Sequence, residues 1–209
     1  MKTQILKNIL LVTLVFITTI AQAQNAAKVD SLKTILKGAQ TDSLKYEALR
    51  QLSNEFQAFQ PDSALAYTQQ SLQLAERNND EKYIPQLLNG LATIYRLKSE
   101  NETSFEKDSL ALELARTTND STIIAKSLTG MAKSRTLQKR EDDALVYCKK
   151  AIALSKGNES LFNHYLDANF LLSTIYKRQK EYGHAIETLL VLQETINKPW
   201  LQLKQHKKL

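Results

Sequence analysis

Residues Ile123–Lys156 read IIAKSLTGMAKSRTLQKREDDALVYCKKAIALSK. Apolar residues recur here at helical spacing in two segments, each with a polar opposite face. A small residue, Ala132, interrupts the first segment, and Ala144 stands near the start of the second. Ala151 follows Ala144 by seven residues, two helical turns along the same face. Two helices approach closely only where the side chains between them are short. The stretch therefore predicts a tight helical hairpin crossing at its alanines.

The same arrangement recurs on both sides. Thr41-Asp42-Ser43 offers short oxygen side chains to cap a helix carrying Tyr46, Leu49, Leu52, Ser53 and Phe56. Pro61 fits the first turn of the next helix, where its missing N–H is harmless, and Ala64, Tyr67, Ser71, Leu72 and Ala75 face inward from it. New cycles open at Asn79-Asp80, Asn119-Asp120 and Asn158-Glu159, and small residues recur at Ser53, Ala92, Ala132 and Ser173. Cap and core markers both step by about 40 residues, the mark of a solenoid in which each unit buries its apolar face on its neighbours. An opening helix carrying Val29, Leu32, Ile35 and Leu36 precedes the array and stops at Gly38. The expected organisation is a leader at 1–23, a capping helix at 24–40, repeats at 41–78, 79–118, 119–157 and 158–197, and a short basic tail at 198–209.

Composition limits what such an array can do. The formal charge is +6, but Lys2, Lys7, Lys198, Lys204, Lys207 and Lys208 lie near the two ends. The 28 basic residues less these six leave 22, against 22 acidic ones. A neutral body is not what a nucleic-acid binder shows. Lys2 and Lys7 followed by the apolar run Ile9–Ile20 and Ala21-Gln22-Ala23 form a secretory signal pattern with cleavage expected after Ala23. The run is short for a membrane span, which needs about 20 residues. No stable span is expected once it is removed, and an uncleaved anchor is the alternative. The location is then the periplasm or cell envelope. The lone Cys148 cannot form an internal disulfide, and its place between Ala144 and Ala151 predicts a small buried apolar residue.

No catalytic constellation stands out. His164, His184 and His206 are too scattered for a metal site, and no phosphate-binding glycine loop or nucleophile elbow is present. The trio Glu141-Asp142-Asp143 opens a helix, where negative charge is favourable. Asn101, Asn119 and Asn158 match glycosylation sequons but fall at turns. The chain is expected to be neither an enzyme nor a holder of a cofactor or metal. Trp200, with Leu201 and Leu203, is expected to cap the apolar end of the last hairpin. Contact of this basic tail with an anionic membrane surface is the alternative.

The repeat resembles the tetratricopeptide (TPR) motif: Leu then a small residue, an aromatic three further on, and a small residue opening the second helix. Leu91-Ala92 with Tyr95 and Ala111 carries it, as do Leu172-Ser173 with Tyr176 and Ala185, and Leu52-Ser53 with Phe56 and Ala64. Met131-Ala132 with Ala144 and Ala151 resembles a further unit, with Arg135 where the aromatic would stand. The phrase Pro61-Asp62-Ser63-Ala64-Leu65-Ala66-Tyr67 looks most like arrays in exported sensory proteins of Bacteroidetes-type bacteria, which often precede a histidine kinase or regulator. The resemblance implies an all-α right-handed superhelix of about four hairpins plus an opening helix. It implies a protein–protein interaction module in a signalling system, binding a partner peptide or helix in a concave groove. The alternatives are a truncated remnant of a longer sensor and a non-catalytic subunit of a periplasmic enzyme. Groove positions carried over from the family are Arg50, Asn54, Asn89, Thr93, Arg96, Lys126, Thr129, Lys133, Asp167, Phe170, Thr174 and Lys177. Their basic members favour an acidic or carboxylate-bearing partner.

Overall fold

The computed structural model describes residues 26–197. The leader at 1–23 and the tail with Trp200, Leu201, Leu203 and His206 lie outside the described residues. Among the described residues the regular structure is entirely helical: α1 (26–38), α2 (Asp42–Phe56), α3 (Pro61–Arg77), α4 (Ile84–Leu97), α5 (Asn101–Thr117), α6 (Ser121–Leu137), α7 (Glu141–Ser155), α8 (Phe162–Arg178) and α9 (Tyr182–Ile196). A 3₁₀ turn, Glu159–Leu161, leads into α8. The helices fall into two compact units that divide after Leu74.

In the first unit Val29 and Leu32 of α1 pack with the fully buried Leu52 of α2, and Leu36, Phe56 and Tyr67 close around them. The Phe56 and Tyr67 rings stack with centroids 5.6 Å apart. Beneath them Ser53 and Thr68 share a buried hydrogen bond of 2.7 Å, which satisfies two hydroxyls where α2 and α3 approach. Thr41 caps α2 by accepting from the Leu44 N–H at 3.3 Å, and α3 starts at Pro61.

The second unit holds three successive hairpins, α4–α5, α6–α7 and α8–α9, with each first helix also packed on the first helix of the next. The alanines fall at the crossings: Ala92, Ala111, Ala132, Ala144 and Ala151 have no exposed surface. Cys148 is equally buried, within a cluster of Ala132, Ala144, Leu171, Leu172 and Ile175. Asp120 caps α6 by accepting from the Thr122 and Ile123 N–H groups, both at 3.0 Å.

Five turns share one geometry. Asn79, Ser99, Asn119, Lys139 and Lys180 adopt positive φ between 52° and 64°. After each, the next N–H reaches back five residues to a helical carbonyl, as in Asp80 to Ala75, Glu100 to Tyr95 and Arg140 to Arg135. This is the Schellman closure, which satisfies carbonyls that the helix end leaves open. The markers at Asn79 and Asn119 are legible because Asn tolerates left-handed backbone. Ser99, Lys139 and Lys180 adopt the same conformation without a residue that announces it, so the sequence marks the turns between hairpins but not those within them.

Candidate partner-binding face

α4, α5 and α6 enclose a polar network rather than a purely apolar seam. One terminal nitrogen of the Arg96 guanidinium lies within hydrogen-bonding distance of Asp108 at 3.0 Å, Ser104 at 2.7 Å, Ser134 at 3.1 Å and the Gly130 carbonyl at 3.2 Å, which share its two N–H groups. Ser104 in turn donates to the Ala92 carbonyl at 2.7 Å. Asp108 is 1% exposed and Arg96 12%. Burial pushes the Asp108 carboxyl up to about 7, while Arg96 pulls it down by charge and by hydrogen bonding, and Lys126 and Lys133 pull the same way. Gly130 makes room for this carboxylate: a Cβ there would lie 2.6 Å from the carboxyl carbon.

That network changes the standing of three residues expected to face a groove. Arg96 is engaged inside the α4–α5–α6 junction. Asn89 is buried and donates to Ser127 at 3.0 Å and to the Pro85 carbonyl at 3.2 Å. Thr129 is buried and donates to the Ala125 carbonyl at 2.9 Å. The cause is packing: a middle first helix touches its own partner and the first helices on either side, so its polar flanks are covered too. α6 shows this most clearly, with Ile123, Ala125, Ser127, Leu128 and Thr129 all buried within two turns. Half-buried Thr93 donates to the Asn89 carbonyl at 3.0 Å.

The remaining positions are exposed. Arg50 and Asn54 belong to the first unit, where Arg50 forks onto Glu47 at 2.6 and 2.9 Å. That bond holds the Glu47 carboxyl below its usual range. On the second unit Lys126 and Lys133 are exposed two turns apart on α6, and α8 exposes Asp167, Phe170, Thr174 and Lys177. Thr174 donates to the Phe170 carbonyl at 3.0 Å. The Phe170 ring is 65% exposed, although it sits on a helix with buried residues on both sides of it.

His164, not singled out for this face by the sequence reading, ties the two helices together electrically. Burial lowers its pKa, Asp167 opposes that shift, and Lys126 and Lys133 add to it. His164 and Asp167 of α8 thus lie within electrostatic reach of Lys126 and Lys133 of α6, and Phe170 and Lys177 are exposed further along α8. Such a surface makes charge-assisted hydrogen bonds to carboxylates and an apolar contact beside them.

Other candidates resolve into structural roles. The Glu141-Asp142-Asp143 trio opens α7 and holds neighbours: Asp143 pairs with Arg140 at 2.6 Å, Glu141 with Arg178 at 3.2 Å, and Asp142 accepts from Gln179 at 3.1 Å. Arg135 takes the aromatic position of the third repeat by lying 3.5 Å over the Phe105 ring while pairing with Glu102 at 2.9 Å. Burial pushes the Cys148 thiol up to about 12, so it stays protonated and unreactive. Among the described residues no group of three or more His, Cys, Asp or Glu is arranged to hold a metal ion. No helix among them is long and apolar enough to cross a membrane.

Residues 18–99, less than half of the chain, match the family model described as the SusR N-terminal TPR domain. No curated protein matches the chain at a significant level. Among solved structures, a Rap protein complexed with competence and sporulation factor superposes with a TM-score of 0.68 at 19% identity over 82% of this chain. The chain spans 49% of that protein's length. The TPR-like repeats of a Podosopora anserina protein assigned as a kinesin light chain superpose with a TM-score of 0.65 at 14% identity, over 85% of this chain and 91% of the other. A point variant of the same repeats gives 0.67 at 15% identity, over 85% and 89%. The chain therefore has an all-α, TPR-like solenoid fold, and its residues 18–99 are similar to the SusR N-terminal TPR domain.

Proposed function

We propose that the chain is an exported protein-interaction module, a sensory or scaffolding part of a bacterial signalling system. It takes an acidic peptide or helix of a partner on the α6–α8 face. The observation that carries the reading is the exposed Phe170 ring two turns from the exposed Lys177 on α8, a helix packed against α6 with its exposed Lys126 and Lys133, where an isolated fold would gain nothing from an open aromatic side chain. The signal pattern at 1–23 and the SusR-type match support the envelope as the place of action. TPR-type domains are generally non-catalytic scaffolds, which agrees with a binding role.

The test is a Lys126→Glu/Lys133→Glu double reversal beside Phe170→Ala, each compared with the unmodified chain in a cross-linked capture from intact cell envelopes. Both lysines are exposed, so helical content should be retained. Reversing Arg96 would be a poor test, because it breaks a buried ion pair and the fold with it. A partner captured by the unmodified chain and lost by both variants supports the reading. Equal capture by all three removes the α6–α8 face from consideration.

A further inference from the structure

The middle of α6 meets solvent at two side chains. From Ala125 to Thr136 every residue is buried except Lys126 and Lys133. Gly130 lies between them, four residues after the first and three before the second, so all three share one side of the helix. The Asp108 carboxylate rests against that glycine, where no Cβ would fit beside it, and the Arg96 guanidinium lies 3.0 Å from it. A buried carboxylate therefore sits against the strip of α6 from which both lysines leave. Across the packing with α8, His164 is half-buried one turn before the exposed Asp167, and the same two lysines act on it.

Anything that docks over this stretch of α6 meets those two ammonium groups first. Burial raises the Asp108 carboxyl to about 7, and Arg96 of α4 with Lys126 and Lys133 of α6 keeps it from rising further. Burial lowers the His164 imidazole, Asp167 of its own helix opposes this, and the two lysines lower it again. An acidic segment that neutralises the lysines removes a field that favours the carboxylate and disfavours the imidazolium. Its own carboxylates repel the first and attract the second. Every one of these effects favours the protonated form of both groups.

We propose that an acidic segment docking on Lys126 and Lys133 drives proton uptake by Asp108 and His164, so that acid tightens the complex. The proposal deepens the α6–α8 reading above and rests on it. Coupling between two binding events is reciprocal: a proton bound at either group adds a positive charge close to the lysines and strengthens their hold on the partner. The partner is released as pH rises.

Hexaglutamate serves as the acidic probe, because its carboxylates stay ionised above about pH 6. Calorimetry should show it bound about fivefold or more tightly at about pH 6 than at about pH 8.5. Asp108→Asn/His164→Gln should bind it equally at both. In the absence of peptide, Lys126→Gln/Lys133→Gln should raise the titration midpoints of Asp108 and His164, followed by NMR at the carboxyl carbon and the imidazole ring. Both lysines are exposed, so this variant keeps its fold. Midpoints that stay where they are overturn the proposal. Equal affinity of the unmodified chain at both pH values overturns it and leaves the α6–α8 reading intact. Tightening by acid that persists in Asp108→Asn/His164→Gln overturns it too, since the protons would then go elsewhere. Hexaglutamate that binds at neither pH removes the α6–α8 reading and the proposal with it.

Discussion

Ala132 has no exposed surface and sits among Ala144, Cys148 and Ile175, so a longer side chain there must displace a neighbour. Ala132→Leu should lower unfolding stability by about 1–3 kcal/mol through overpacking, read from the denaturation midpoint. An unchanged midpoint would mean that α6 and α7 do not cross at this residue. Asp108 has a different vulnerability. Its folded pKa of about 7 stands above the value of about 3.9 for an unfolded aspartate. Between those values the folded chain holds a proton that the unfolded chain releases, so this group's contribution is full below the lower value and falls as pH rises through the upper one. His164, with its pKa lowered, works in the opposite sense near neutrality. The difference between the unmodified chain and Asp108→Asn isolates the aspartate. As pH rises from 5 towards 8, the unmodified chain should lose stability relative to the variant; parallel pH profiles would show Asp108 ionised throughout.

At the scale of elements, helices were legible wherever a cap, a proline or a small residue at the crossing marked them, as at Thr41, Pro61 and Ala132. The turns at Ser99, Lys139 and Lys180 were not, because a left-handed residue without glycine or asparagine leaves no trace in the sequence. Those residues carry a steric cost of about 1 kcal/mol that glycine would avoid. Lys139→Gly should therefore raise the melting temperature, since φ at this position is 61° and the lysine side chain lies on an exposed turn. A lower melting temperature would show that the side chain contributes more than its backbone costs. The proposed groove positions divide by burial. The family resemblance offered Lys126, Lys133, Phe170 and Lys177, which are exposed, together with Asn89 and Thr129, which are buried, and Arg96, which is held in the α4–α5–α6 junction. Periodicity assigns a face to one helix at a time, and the neighbouring first helices that cover these flanks lie about 40 residues away in the chain. Arg135 shows the converse. The motif lacks its aromatic there, yet the guanidinium over Phe105 fills the place by cation–π contact, which a pattern of residue types does not express.

The chain as a whole follows the logic of repeats: each hairpin is stabilised mainly by its neighbours, and stability adds up locally rather than globally. The two compact units are the coarse expression of that rule. Leu52 is fully buried at the heart of the first unit, where it joins Val29 and Leu32 of α1 to α2. Leu52→Ala removes that junction and should cost about 2–5 kcal/mol through the cavity it leaves. If stability is local, the loss should be confined: amide protection should fall across residues 26–74 while α6 and α8, further along the array, exchange as before. Hydrogen exchange with peptide resolution reads this directly. A uniform rise in exchange along the whole chain would mean that the helices unfold as one cooperative block, and the unit boundary near Leu74 would then have no energetic counterpart. A confined loss would make the first unit the part most readily opened, with the α6–α8 face held by the Arg96–Asp108 junction and the alanine crossings beneath it.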